Sequence, residues 1–97
     1  MLLNNKNRKI RDVKISEGSL TASLVHPREV YNPVIRESAA AVIFVHNHPS
    51  GDPAPSPEDI DITRRLKEVG DVMGVRVLDH VVIGRDRFFS FNDKGML

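Results

Sequence analysis

The sequence predicts a single α/β domain, with a mixed β-sheet flanked by helices. Residues 39–45 form a continuous apolar run, the pattern of a buried strand, and residues 57–73 repeat apolar side chains at helical spacing. Two further apolar segments, residues 76–83 and 88–91, are joined by a turn-forming stretch at 84–87. Strands that alternate with helices in a chain of 97 residues are typical of one mixed sheet.

The amino-terminal part of the chain predicts strands. Residues 1–15 have the pattern of a β-hairpin, with an asparagine-rich turn at residues 4–7. Beyond that turn Val13 and Ile15 alternate, so we expect both side chains to point inward. A further strand is expected at residues 20–25.

The middle of the chain predicts a helix, a strand and a second helix. Pro27 suits the first position of a helix, which we place at residues 27–38. The continuous apolar run predicts that the strand at residues 42–46 is buried on both faces. Ser56 is a good capping residue for the second helix, which we expect to run from residue 57 to residue 73 and to end at Gly74.

A candidate metal site lies where the apolar strand ends. His46 and His48 are two residues apart, so their side chains point to the same side of the strand, with Cα atoms about 6.5 Å apart. On the second helix, Asp59 continues an apolar stripe and therefore faces inward; the stripe comprises Ile62, Leu66, Val69 and Met73. An inward carboxylate is unfavourable unless it is paired or binds a metal. Two imidazoles and one carboxylate with an open fourth position are typical of catalytic zinc.

Simpler interpretations of the same residues stay open. Ser56 and Asp59 have the spacing of an ordinary capping box. Asp79 and His80 lie in an apolar stretch, where they either support a metal ligand or form a half-buried pair with a satisfied histidine nitrogen. His26 precedes a proline and marks a turn into a helix.

The spacing of four residues carries a family resemblance. His46, His48, Ser56 and Asp59 follow the pattern His-x-His, seven residues, Ser, two residues, Asp, which resembles the JAMM (MPN+) metalloprotease motif. The sequence around this motif resembles the bacterial RadC family over essentially the whole chain, most clearly in residues 26–30, 41–53 and 78–84. This resemblance implies a cytidine-deaminase-like (JAB/MPN) fold and a zinc hydrolase-like site.

By resemblance, His46, His48 and Asp59 would bind Zn²⁺, and Ser56 would hydrogen-bond the reacting water or the oxyanion. The family's general base is a glutamate upstream in sequence, expected before the segment at residues 1–3. We therefore expect this chain, residues 1–97, to lack an N-terminal segment of its domain. Glu29 is the candidate base within the chain; its alternative role is a surface carboxylate favoured by the helix dipole.

Composition limits the classes of partner. The net charge of +1 argues against a protein that coats nucleic acid, although Lys6, Arg8, Lys9 and Arg11 form a basic cluster that could contact phosphates. The absence of cysteine excludes disulfides and thiolate metal sites and fits a cytoplasmic protein. No apolar run reaches the length of about 18 residues that a membrane span needs. A missing strand would expose a sheet edge, which favours a homodimer.

Three functions are consistent with the sequence. The first is a zinc-dependent metallopeptidase or isopeptidase that acts on a peptide or protein substrate. The second is a nucleic-acid-binding module, because the RadC name is attached to DNA repair. The third is a non-catalytic, zinc-binding scaffold that engages a protein partner.

Overall fold

Five strands and two helices make up the described part of the chain, residues 1–15 and 26–97, in a computed structural model. In chain order they are β1 (Leu2–Leu3), β2 (Lys9–Arg11), α1 (Pro27–Arg36), β3 (Ala41–Asn47), α2 (Pro57–Met73), β4 (Arg76–Ile83) and β5 (Phe88–Ser90). The strand predicted at residues 20–25 lies outside the described residues. No helix in the described ranges is long and apolar enough to cross a bilayer.

The five strands form one mixed sheet in the order β2-β1-β3-β4-β5. The central strands β3 and β4 are parallel, and helix α2 is the crossover between them; the outer pairings are antiparallel. The predicted α/β fold with a mixed sheet flanked by helices is therefore confirmed. The carboxyl end of β3 and the start of α2 meet at one edge of the sheet, where such folds commonly bind ligands.

The predicted amino-terminal hairpin forms, but it is shorter than its sequence pattern suggested. The Asn4 N–H donates to the Arg8 carbonyl over 2.9 Å, and Asn7 adopts a positive φ of 59° in the turn. The expected inward position of Ile15 is wrong, because this side chain is 39% exposed. Strand β1 has only two residues, so regular pairing ends at Arg11.

Helix α2 has the predicted bounds and ends at Gly74, whose φ of 73° is the left-handed conformation that glycine favours. Its buried stripe differs from the prediction at the carboxyl end, because Met73 is 38% exposed. Gly70 takes the last buried position instead. A Cβ atom there would lie 2.8 Å from the Tyr31 hydroxyl, so glycine allows Tyr31 of α1 to approach the helix closely.

Strand β3 is buried at its start and open at its end. Val42 is 2% exposed and Val45 is 54% exposed, so the prediction of burial on both faces is wrong for the second half. The helices cover the face that carries Val42 and Phe44, where the rings of Tyr31 and Phe44 pack edge to face at 6.3 Å. Val45 points to the opposite face of the sheet.

A bulge in β4 changes which residues of that strand face the helices. Val42 pairs with Val77, but the next residue of β3 pairs with Asp79, so Leu78 is an extra residue. After the bulge His80 lies opposite Phe44 on the helix-covered face. His80 is consequently fully buried, at 0% exposure, and Asp79 lies on the other face.

The core lies between this face and the two helices. It contains Leu2, Val30, Tyr31, Val34, Ala39, Val42, Ile62, Leu66, Val75 and Val77. These residues hold α2 against the strands, and they thereby bring the first turn of α2 close to the end of β3.

Candidate metal centre

The two histidines at the end of β3 lie side by side, as their spacing predicted. His46 belongs to the strand, and the His48 N–H continues the pairing by donating to the Ile83 carbonyl over 2.9 Å. The two imidazole rings are perpendicular, with centroids 4.8 Å apart. Both side chains are largely buried, at 10% and 16% exposure, so neither can be freely solvated.

Asp59 faces inward from the first turn of α2 and is 1% exposed. It forms the predicted capping box with Ser56: the Asp59 N–H donates to Ser56 Oγ over 3.1 Å, and the Ser56 N–H donates to Asp59 Oδ2 over 2.8 Å. The interpretation as a helix cap and the interpretation as a candidate ligand are therefore both compatible with the structure. The cap fixes the carboxylate in a position where it also meets the histidines.

The three side chains converge. His48 Nε2 lies 2.9 Å from Asp59 Oδ2, and His46 Nε2 lies 3.6 Å from Asp59 Oδ1. One candidate ligand atom from each residue lies within 4.8 Å of the others. Zinc bonds of 2.0–2.1 Å in a tetrahedral site place neighbouring ligand atoms about 3.4 Å apart. The observed ligand-atom spacing differs from this value by roughly 1 Å, so the three residues fit a metal ion after a small adjustment.

Both ring nitrogens of His48 face oxygen acceptors, an arrangement that favours a cation at the ring. Its Nδ1 lies 2.8 Å from the Asp52 carbonyl oxygen, and its Nε2 lies 2.9 Å from the Asp59 carboxylate. A neutral imidazole has one N–H and can donate to only one of these acceptors. A second proton or a metal ion on Nε2 satisfies the other. The donor set of this chain thus fits a metal ion, with Nδ1–H held by the Asp52 carbonyl and Nε2 directed at the ion.

The ionisation of the other two residues also suits metal binding. Burial lowers the pKa of His46 below the usual 6.5, with the proximity of His48 acting in the same direction against the opposing effect of Asp59. Burial raises the pKa of Asp59, but hydrogen bonds from Ser56 and the nearby imidazoles outweigh it and leave the pKa below 3.8. At neutral pH His46 is neutral and Asp59 is ionised, which are the forms that bind metals.

The loop between the histidines and Asp59 packs against the β4–β5 turn. The Arg85 N–H donates to the Gly51 carbonyl over 2.8 Å. Gly84 has no room for a side chain, since a Cβ atom there would overlap the Gly51 carbonyl oxygen and lie 2.8 Å from Pro53. These contacts, together with the prolines of the loop, which fix φ, hold the loop in a defined conformation.

The other predicted site residues have separate locations. Ser56 is half-buried at the cap of α2, and its hydroxyl retains an O–H to donate. Glu29 is exposed in the first turn of α1 and is not part of the His46, His48 and Asp59 group found in the described residues. The role of Glu29 as a base stays a prediction. His26 is exposed and precedes α1 without forming a side-chain cap.

The basic cluster near the amino terminus is partly neutralised. Lys9 Nζ lies 2.6 Å from the Asp12 carboxylate, and Arg11 donates to Glu37 over 2.7 Å. Lys6 and Arg8 are exposed around the hairpin turn. Phosphate binding by this cluster stays a prediction.

The sequence did not predict the buried hydrogen bond between Thr63 and His80, which lies next to the candidate ligands. The Thr63 hydroxyl lies 2.6 Å from the Asp59 carbonyl oxygen and 2.5 Å from His80 Nδ1. Desolvation lowers the pKa of His80 to about 4. Asp79 does not contact this ring; its carboxylate accepts from the His80 main-chain N–H and the Ser90 hydroxyl. The available signal for Thr63 was its position four residues after Asp59 on the same helix face.

Comparison with known proteins shows the family to which this chain belongs. A family model described as "RadC-like JAB domain" matches residues 1–96. A UPF0758 protein of Syntrophotalea carbinolica is 68% identical over the whole chain, and one of Geobacter sulfurreducens is 66% identical. A UPF0758 protein of Geobacillus thermodenitrificans is 56% identical over 93 residues. The chain spans 43%, 42% and 41% of the length of these three relatives. This chain belongs to the RadC-like JAB domain family.

Proposed function

We propose that this chain is a zinc-dependent hydrolase domain that cleaves an amide bond in a peptide or protein substrate. The observation that carries the proposal is the convergence of His46, His48 and Asp59, whose candidate ligand atoms lie within 4.8 Å of one another. Two imidazoles and a carboxylate leave a position open for water or substrate, as in catalytic zinc sites. The absence of thiolates fits a catalytic more than a structural zinc site.

Each residue of the site has a distinct part in this function. His46, His48 and Asp59 would hold the metal, and the Asp52 carbonyl keeps His48 in the tautomer that presents Nε2. When bound, zinc supplies Lewis acidity that polarises a carbonyl and brings the pKa of water to about 7. The Ser56 hydroxyl, which accepts from the Asp59 N–H, would donate its own proton in a hydrogen bond to the oxyanion of the substrate.

The proton transfer needs a general base beyond these residues. Within the described ranges the ligand group contains no carboxylate besides Asp59, and Glu29 is exposed on α1. A positioned base contributes about 10²–10⁴-fold to such reactions. We therefore expect the 97-residue chain to bind zinc tightly and to hydrolyse peptides slowly. A small carboxylate such as formate should accelerate the reaction by acting as an external base.

Mass spectrometry of a peptide mixture incubated with the chain tests this proposal. We expect new peptide termini that require zinc, disappear with a chelator and increase with formate concentration. Asp59→Asn should abolish the products, whereas His26→Ala, which removes an exposed histidine outside the site, should leave them unchanged. Zinc binding without any zinc-dependent product, with or without formate, would refute the hydrolase and favour the non-catalytic scaffold.

A further inference from the structure

The candidate ligands come from two different elements of the fold. His46 belongs to the end of β3 and His48 directly follows that strand, whereas Asp59 belongs to the first turn of α2. The distance between these elements therefore determines whether the three side chains reach one ion. Apolar packing holds them together but gives little directional control. A directional contact between helix and sheet would set this distance more closely.

Such a contact is formed by Thr63 of α2 and His80 of β4, whose Oγ1 and Nδ1 atoms lie 2.5 Å apart. Within residues 1–15 and 26–97 it is the one hydrogen bond between α2 and the strands apart from contacts of the candidate ligands themselves. Thr63 also lies 2.6 Å from the carbonyl oxygen of Asp59. The pair therefore connects the sheet to the main chain of the candidate ligand.

The hydrogen bonds determine the tautomer of His80. The Thr63 hydroxyl has one proton, and the Asp59 carbonyl can only accept, so that proton is donated to Asp59. Thr63 must then accept from His80, which places the ring proton on Nδ1. His80 Nε2 has no partner among the described residues, and the opposite tautomer would leave a buried N–H unsatisfied there. Two separate considerations thus lead to the Nδ1–H form.

The ring of His80 is also held in place by its neighbours. It is fully buried and stacks on Phe91 with a centroid distance of 4.9 Å and an interplanar angle of 5°. Phe44 packs against its edge at 6.4 Å, and the His46 ring lies 6.3 Å away. A ring packed in this way presents Nδ1 to Thr63 in one orientation.

We propose that His80 is a positioning residue for the metal centre, acting as the Nδ1–H imidazole that holds Asp59 in place through Thr63. The role rests on the proposed metal-binding function and adds to it a chain of three residues, His80, Thr63 and Asp59. His80 does not bind the metal. It keeps the first turn of α2 at the distance from β3 that the ion requires.

Two matched pairs of variants test the role. His80→Asn keeps an N–H close to the position of Nδ1, whereas His80→Leu has nearly the same shape and no donor; both lose the ring stacking. Thr63→Ser keeps the hydroxyl, whereas Thr63→Val keeps the shape without it. Zinc affinity is measured by competition with a chelating dye, and urea unfolding verifies that each variant is folded. We expect the Leu and Val variants to bind zinc at least about tenfold more weakly than their Asn and Ser counterparts.

NMR of the metal-free wild-type chain gives a second readout that does not depend on zinc. Long-range ¹H–¹⁵N correlation spectra distinguish the two tautomers of a neutral histidine, and we expect His80 in the Nδ1–H form. An Nε2–H tautomer, or equal zinc affinities within each pair, would overturn the positioning role alone. A wild-type chain that binds no zinc would overturn the proposed function as well as this role.

Discussion

Burial of His80 makes the metal-free protein sensitive to acid. The pKa of this residue falls from 6.5 to about 4 because the ring is desolvated. The unfolded chain takes up a proton at His80 below about pH 6.5, whereas the folded chain does so only near pH 4. The contribution of neutral, buried His80 to stability is therefore fully present above pH 6.5 and is lost as the pH falls towards 4. A pKa of about 4 in place of 6.5 corresponds to about 3 kcal/mol of stability in total, of which about 2 kcal/mol is lost by pH 5.

Urea unfolding of the metal-free chain near pH 7 and at about pH 5 measures this effect, with His80→Asn as the comparison. The variant is expected to be less stable near neutral pH, because it loses the stacking on Phe91. Its stability should fall by about 2 kcal/mol less than that of the wild type between the two pH values. His46 and the carboxylates titrate in both proteins, so they do not affect the comparison. Equal losses in the two proteins would refute the inference that His80 is kept neutral by burial.

Three further substitutions have defined expectations. Gly84→Ala should weaken zinc binding by about tenfold or more, because its Cβ would push the loop that carries Gly51 and Pro53; a calorimetric titration that gives wild-type affinity would contradict this. Ser56→Ala removes the cap of α2 and should lower the free energy of unfolding by about 1 kcal/mol in urea, an effect that should be present without zinc. Tyr31→Phe removes a buried hydrogen bond to the Leu66 carbonyl and should lower that free energy by about 1 kcal/mol while zinc affinity stays unchanged.

The parts of the fold that local patterns determine were predictable from the sequence. The bounds of α2 follow from Ser56, the proline after it and Gly74, each of which acts within one helical turn. The convergence of His46, His48 and Asp59 follows from two short-range periodicities, alternation along β3 and the stripe of α2. The exposure of one face of β3 was not predictable in the same way. Val42 and Val45 are the same residue type on opposite faces, and only the tertiary structure shows that the face of Val45 is uncovered.

The arrangement around His80 depends on a feature that alternation cannot reveal. Strict alternation from Val77 would direct Asp79 and Val81 towards the helices, whereas the extra residue Leu78 directs His80 there instead. The bulge arises from how β3 and β4 pair, which is a tertiary property. The contact of His80 with Thr63 could therefore be found only from the structure.

Metal stoichiometry decides whether His46, His48 and Asp59 form one metal site. Elemental analysis of the purified chain after equilibration with zinc and desalting measures it, with an alanine substitution at each of the three positions and His26→Ala as the matched control. We expect about one zinc ion per chain in the wild type and the control, and loss of the metal in all three site variants. A wild-type chain without metal, or site variants that retain it, would contradict the assignment of these residues as a metal centre.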